Sequence, residues 1–204
     1  MNILFYGASA SLGTGYGLLC RHLATRLHKK GKKKVRCNDC NKEGYLEPSI
    51  NKCDECDGEN LKLIQEADKS YKGPYHNVWQ MGLHTMGEVD WRYGFPILPV
   101  GVPGLHGSDM LAYYLINYKI DVFITLIDLF PDHFNFIKEV VRQTGVYWIN
   151  HCTIYSTPLS PFRAKNLKYS DLIIGPSNFG YHLIKNGGFE NSKRIYHGVD
   201  LDVF

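Results

Sequence analysis

The chain has 204 residues, of which 44% are hydrophobic and 21% charged, a balance that excludes a disordered chain. Its formal charge of +3 is local: six of the 23 basic residues lie between Lys29 and Arg36, and the other 17 are outnumbered by 20 acidic ones. The bulk charge therefore argues against a nucleic-acid partner, and the absence of any run of 18 apolar residues argues against a membrane span.

Asn2–Gly7 is a continuous apolar run and predicts a first β-strand. It lacks the charged start and cleavage site of a signal peptide, so a cytoplasmic protein is expected. A small-residue loop, Ala8–Gly17, leads into a helix from about Tyr16 to Lys30. There Leu19, Leu23 and Leu27 recur at four-residue spacing, with Gly31 as the stop. Val35 begins the expected second strand, which a cysteine-rich segment interrupts. Strands are then expected over Asn77–Leu83 and Phe95–Val100, a helix over Ser108–Tyr118, and a buried strand over Asp121–Asp128. A helix over His133–Gln143, strands over Gly145–Asn150 and Leu172–Pro176, a helix over Asn178–Lys185 capped by Ser177, and a strand over Arg194–His197 complete the pattern. Strands alternating with helices predict an α/β fold: a Rossmann-like parallel sheet with helices on both faces.

Cys37-Asn-Asp-Cys40 and Cys53-Asp-Glu-Cys56 are two Cys-x2-Cys pairs twelve residues apart. Each pair can fold into a turn that aims two thiolates at one point, and two such turns build a tetrahedral S4 site. Structural Zn2+ is the expected occupant, with iron in a rubredoxin-like site the rival. Four protein ligands leave no position for a reacting water. The insert, 36–63, is too short to bury a core and would depend on its metal to fold. Gly44 and Gly58 are expected to relax the backbone at the two turns. The neighbouring run Lys29, Lys30, Lys32, Lys33, Lys34 and Arg36 reads as a solvated helix end or as a contact to an anionic surface, such as the inner face of a membrane.

The glycines between Gly7 and Gly17 stand between the first strand and the first helix, where backbone N–H groups can approach an anionic ligand. A tight turn for close packing is the other reading. Tyr181-His-Leu-Ile-Lys185 superficially suggests a short-chain dehydrogenase, but it falls too late in the chain and lacks an upstream serine.

Four stretches, in order, resemble the family-4 type of retaining GT-B glycosyltransferases. They are MNILFYG with GTGYG; PILPVG followed by DVFITLID; Ser170-Asp-Leu-Ile-Ile-Gly-Pro-Ser177-Asn-Phe-Gly180; and Ile195-Tyr-His197-Gly198-Val199-Asp200 with Phe204. The resemblance covers the chain outside the insert. It implies that residues 1–204 form the N-terminal, acceptor-side domain of such an enzyme, with the C-terminal donor-binding domain absent and the chain inactive alone. It further implies transfer of a sugar from a nucleotide-sugar donor to a hydroxyl of a glycan, lipid or protein acceptor, with retained anomeric configuration and no catalytic metal. Gly13, Thr14, Gly15, Tyr16 and Gly17 carry over as the loop against the donor phosphates. His151 carries over as a donor-sugar contact, and Asp128 as a polar residue facing the cleft. Asn150 and Thr153 are further candidates, and His197 is expected to be structural at the crossover between domains. Asp128 could instead cap the turn before Pro131, and His151 could be an ordinary hydrogen-bonded histidine. The competing function is a Rossmann-like binding or scaffold module whose zinc knuckle and basic run contact nucleic acid or protein.

Overall fold

In the first strand, β1 (Asn2–Ala8), alternate side chains feed two cores, so every residue of its middle is apolar. Ile3 and Phe5 pack with Cys20 and Ala24 of helix α1 (Gly15–Lys29), while Leu4 and Tyr6 face the opposite layer. This is the arithmetic of a strand covered on both faces. The computed structural model describes residues 1–47, 49–54, 56–67, 70–128 and 130–198.

Beyond α1 the described elements, in chain order, are β2 (Lys33–Cys37), β3 (Glu43–Leu46), β4 (Leu61–Gln65), β5 (Asn77–Leu83), β6 (Ile97–Leu98), α2 (Leu111–Asn117), β7 (Val122–Leu126), α3 (Pro131–Thr144), β8 (Tyr147–His151), α4 (Pro161–Leu167), β9 (Leu172–Gly175), α5 (Asn178–Asn186) and β10 (Ser192–Arg194). The fold is α/β, a seven-stranded parallel sheet in the order β10-β9-β8-β7-β1-β5-β6 with five helices. The chain leaves β1 toward β5 and β6, then returns to β1's other edge with β7. That reversal opens a crevice at the carboxyl ends of β1 and β7, where doubly wound sheets hold ligands. Gly7 permits it: a Cβ there would lie 2.4 Å from the Leu126 carbonyl oxygen.

The second strand differs from expectation. β2 leaves the parallel sheet and pairs antiparallel with β3 and β4 in a small separate sheet. Lys33 to Gln65 thus act together, starting three residues before the expected insert. The segment 95–100 pairs only at Ile97 and Leu98, and the following helix starts at Leu111 after a turn held by Gly101, Gly104 and Gly107, all at positive φ. The last strand is displaced to Ser192–Arg194. Helix α4 was not expected, although Ser160 caps it by accepting from the Arg163 N–H and Pro161 occupies its first turn. Other stops and starts follow the sequence. Gly31 is left-handed (φ 74°) after α1, Gly145 (φ 68°) ends α3, and Ser177 accepts from the Gly180 N–H at 3.0 Å. Val199, Asp200 and Phe204 of the fourth resembling stretch lie outside the described residues. None of the described helices is long and apolar enough to cross a membrane.

Candidate active site and metal centre

The loop between β1 and α1 is fixed from below. Gln80, a fully buried polar residue of β5, accepts from the Ala10 N–H at 2.9 Å and donates to the Ala8 carbonyl at 2.8 Å. Thr85 donates to the Ser9 hydroxyl, which also bonds Ser11, and the Arg21 guanidinium donates to the Ala10 carbonyl. Gly17 is sterically required, because a Cβ would meet the Leu12 and Ser9 carbonyl oxygens at 2.6 and 2.7 Å. Gly13 and Gly15 differ: a Cβ at either meets nothing. Thr14 is the N-cap of α1, its hydroxyl accepting from the Gly17 N–H at 3.1 Å. The N–H groups of Gly15 and Tyr16 have no partner among the described residues, so the helix presents donors and the positive end of its dipole to the crevice.

Three strand ends converge on this loop. Asp128, just past β7, accepts from the Tyr16 hydroxyl at 3.0 Å and from the Tyr155 hydroxyl. Thr153, just past β8, bonds Tyr16 at 2.8 Å; because the Tyr16 proton goes to the carboxylate, Thr153 is the donor. Burial comes first among the causes that raise the pKa of both Tyr16 and Tyr155, and the Asp128 charge adds to it. Asp128 therefore ties the glycine loop to the segment after β8. It does not cap α3, whose N-cap is Phe130.

His151, the last residue of β8, is only 4% exposed and lies edge-on to the Tyr16 ring at 6.4 Å. Its Nε2 is 2.8 Å from Nε2 of His197, and the two rings stack at 4.9 Å. One imidazole donates and the other accepts, so the pair is held together with at least one ring neutral. Burial, then the His197 charge, pushes the His151 pKa down to about 4. His151 Nδ1 is buried without a partner among the described residues. His197, expected to be structural at a crossover, touches the candidate histidine.

Asn150 points away from this cluster. It is buried in a network with Thr125, Trp148 and Ser170 that fastens β7 to β8 and β9. Sequence reasoning passed over Gln80, and it reached Tyr155 only as one of the aromatics around 147–155 that could stack on a sugar ring or belong to the core. Gln80 had a signal, an amide in the buried middle of β5, whereas nothing local marks Tyr155 as a partner of Asp128.

Cys37, Cys40, Cys53 and Cys56 come together with all four sulfurs within 4.8 Å of one another. The Cys37–Cys56 and Cys40–Cys53 separations are both 3.7 Å, far beyond a disulfide bond. They match the edge of a tetrahedron with metal–sulfur bonds of about 2.3 Å, which is about 3.8 Å. Each Cys-x2-Cys turn closes on a backbone bond, Cys37 N–H to Lys42 and Cys53 N–H to Gly58, both 2.8 Å. The left-handed residues are Asn41 (φ 59°) and Asp57 (φ 55°), each just after the second cysteine of its pair. Gly44 and Gly58 do not supply that conformation, contrary to expectation; Asn and Asp tolerate it. Gly58 serves by its size, since a Cβ would sit 2.3 Å from an Asp39 carboxylate oxygen and 3.2 Å from the Cys56 sulfur. The four thiols are compatible with a structural metal such as zinc.

Much of the basic run is taken up internally. The buried Lys32 ammonium donates to the His76 carbonyl at 2.8 Å, Lys34 and Arg36 both pair with Glu43, and Lys33 donates to Asn51. Lys29 and Lys30 lie over the Tyr45 and Tyr71 rings. The run mainly ties the small sheet together and to its surroundings.

No family model and no curated protein matches the sequence. Among solved structures, the fold is similar to the apo form of the lipopolysaccharide outer core galactosyltransferase WaaB, with a TM-score of 0.55 at 10% identity. The match covers 98% of this chain and 47% of that one, so the chain spans about half the length of that transferase and shares the fold of that part of it.

Proposed function

We propose that the chain is the N-terminal, acceptor-side lobe of a retaining glycosyltransferase that moves a sugar from a nucleotide-sugar to an acceptor hydroxyl. The observation that carries this reading is the meeting of Gly13–Gly17, Asp128, Thr153 and the His151–His197 pair at the sheet's reversal point, beside donors that α1 leaves unused. The donor diphosphate sits against the N–H groups of Gly15 and Tyr16, and the open space above Gly13 and Gly15 admits it. Charge develops on the departing diphosphate during transfer, and fixed N–H dipoles stabilise it without reorganisation. A donor-sugar hydroxyl replaces the His197 ring as the partner of His151 Nε2. Asp128 holds Tyr16 and Tyr155 in place and faces the acceptor side.

The 204 residues supply one wall of the cleft, and transfer needs the facing lobe, so the isolated chain is inactive. The four cysteines hold Zn2+, which stabilises the small sheet and takes no part in transfer. The acceptor is a glycan, lipid or protein hydroxyl. The test is a panel of nucleotide-sugars offered to a protein carrying both lobes, reading nucleoside diphosphate release and the anomeric configuration of the product. Release from one donor with a retained configuration supports the proposal. A well-folded two-lobed protein that turns over none of them refutes it.

A further inference from the structure

A second groove lies along the far half of α1. Arg21, the first helix residue that lines it, is five residues past Tyr16, so this groove begins about 8 Å along the helix from the switch-point cluster. Its floor is α1, one wall is the small cysteine-bound sheet, and the other is the segment around Trp91–Gly94; its volume is about 630 Å3, within the range of small-ligand pockets.

The helix contributes His22, Thr25, Arg26 and Lys29, spaced i, i+3, i+4 and i+7, which puts them on one face. The charges in the groove are not balanced. Arg92 is matched by Asp90 through a two-pronged ion pair, and Glu43 is shared by Lys34 and Arg36. Arg21 spends hydrogen bonds on the Ala10 carbonyl, which leaves its charge uncancelled, and Arg26 and Lys29 have no carboxylate partner among the described residues. Two of these three cations are preorganised on aromatic faces: Arg21 is 4.3 Å from the Tyr93 ring centre and Lys29 is 5.0 Å from that of Tyr45. Trp91, 48% exposed, adds an indole at the mouth.

We propose that this groove binds an acidic saccharide, one that carries a phosphate or carboxylate on a pyranose ring. Three uncancelled cations suit one or two anionic groups rather than a polymer track. The faces of Tyr45 and Tyr93 are already covered by cations, so a single indole is left, and it can take the apolar C–H face of one sugar ring. A nucleobase slot would need a second ring to close on the other side. His22, Thr25 and Glu43 line the groove and offer polar partners to sugar hydroxyls. The groove adjoins the glycine loop through Arg21, and saccharide binding in it does not depend on sugar transfer taking place.

The test is calorimetric titration of the 204-residue chain with trigalacturonate, with neutral maltotriose and adenosine monophosphate as controls. Trigalacturonate is expected to bind, and maltotriose and the nucleotide at least about tenfold more weakly. Arg26→Gln should weaken trigalacturonate by about tenfold and Trp91→Ala by about fivefold, with unchanged melting temperatures because both residues are exposed. Binding should also fall as salt rises. Equal binding of maltotriose, tighter binding of the nucleotide, no binding of trigalacturonate, or insensitivity to Arg26→Gln each overturns the proposal. Because no donor or turnover is involved, failure here leaves the transferase reading standing, and failure of that reading leaves this one standing.

Discussion

At the scale of single residues, burial sets the chemistry. His151 in the folded chain resists protonation, with a pKa near 4 against the ordinary value of 6.5. Between those two values the unfolded chain binds the proton and the folded chain does not, so stability falls as pH drops from about 6.5 to 4. His151→Gln should flatten that part of the stability-versus-pH curve by up to roughly 3 kcal/mol; matched denaturant titrations at pH 7 and pH 4.5 check it, and identical slopes in the two proteins would contradict it. Gln80 makes a second residue-scale case. Gln80→Leu strands the buried Ala10 N–H and the part-buried Ala8 carbonyl and should cost roughly 2–4 kcal/mol in chemical denaturation. Its loss should also loosen the glycine loop, seen as faster amide exchange at Ala10.

At the scale of elements, the glycines divide by what surrounds them. Gly7→Ala drives a Cβ into the Leu126 carbonyl and should prevent β1 and β7 from pairing, read as loss of soluble folded protein. Gly13→Ala has open space and should leave the melting temperature within about 2 °C of the parent while weakening donor binding in a two-lobed protein. The cysteine element is also separable. Cys53→Ser, or a strong chelator, should remove one equivalent of zinc per chain and expose the amides of β2, β3 and β4 to exchange, while β1, β5 and β7 stay protected. Mass spectrometry of metal content and of exchange reads both.

The same scale shows what the sequence could reveal. β1, β5, β7, β8, β9, α1, α3 and α5 fall within a few residues of expectation, because each is an apolar run or an amphipathic period with a cap or a glycine stop. The cysteine cluster was legible because its spacing is a local constraint. β2 was assigned to the wrong sheet because apolar pattern gives a strand its type but not its partner, and the partners here, β3 and β4, are brought to it by the cysteine turns at 37–40 and 53–56. α4 had only seven residues to show a period, so its Ser-Pro start was the whole signal. In the site, Asp128 and His151 were singled out by the family resemblance and by their place at the carboxyl ends of parallel strands. Their contacts with Tyr155 and His197 were not legible because they span 27 and 46 residues.

At the scale of the whole molecule, the parallel sheet reverses beside β1, and the glycine loop and the ends of β7 and β8 gather there. We propose that the His151–His197 pair and the glycine loop mark the place of sugar transfer. The most direct test is His151→Ala in a two-lobed protein with measured turnover, compared with the parent for kcat/KM and melting temperature. In this variant kcat/KM should fall by about a hundredfold or more while the protein stays folded. A variant that turns over at the parental rate would contradict it.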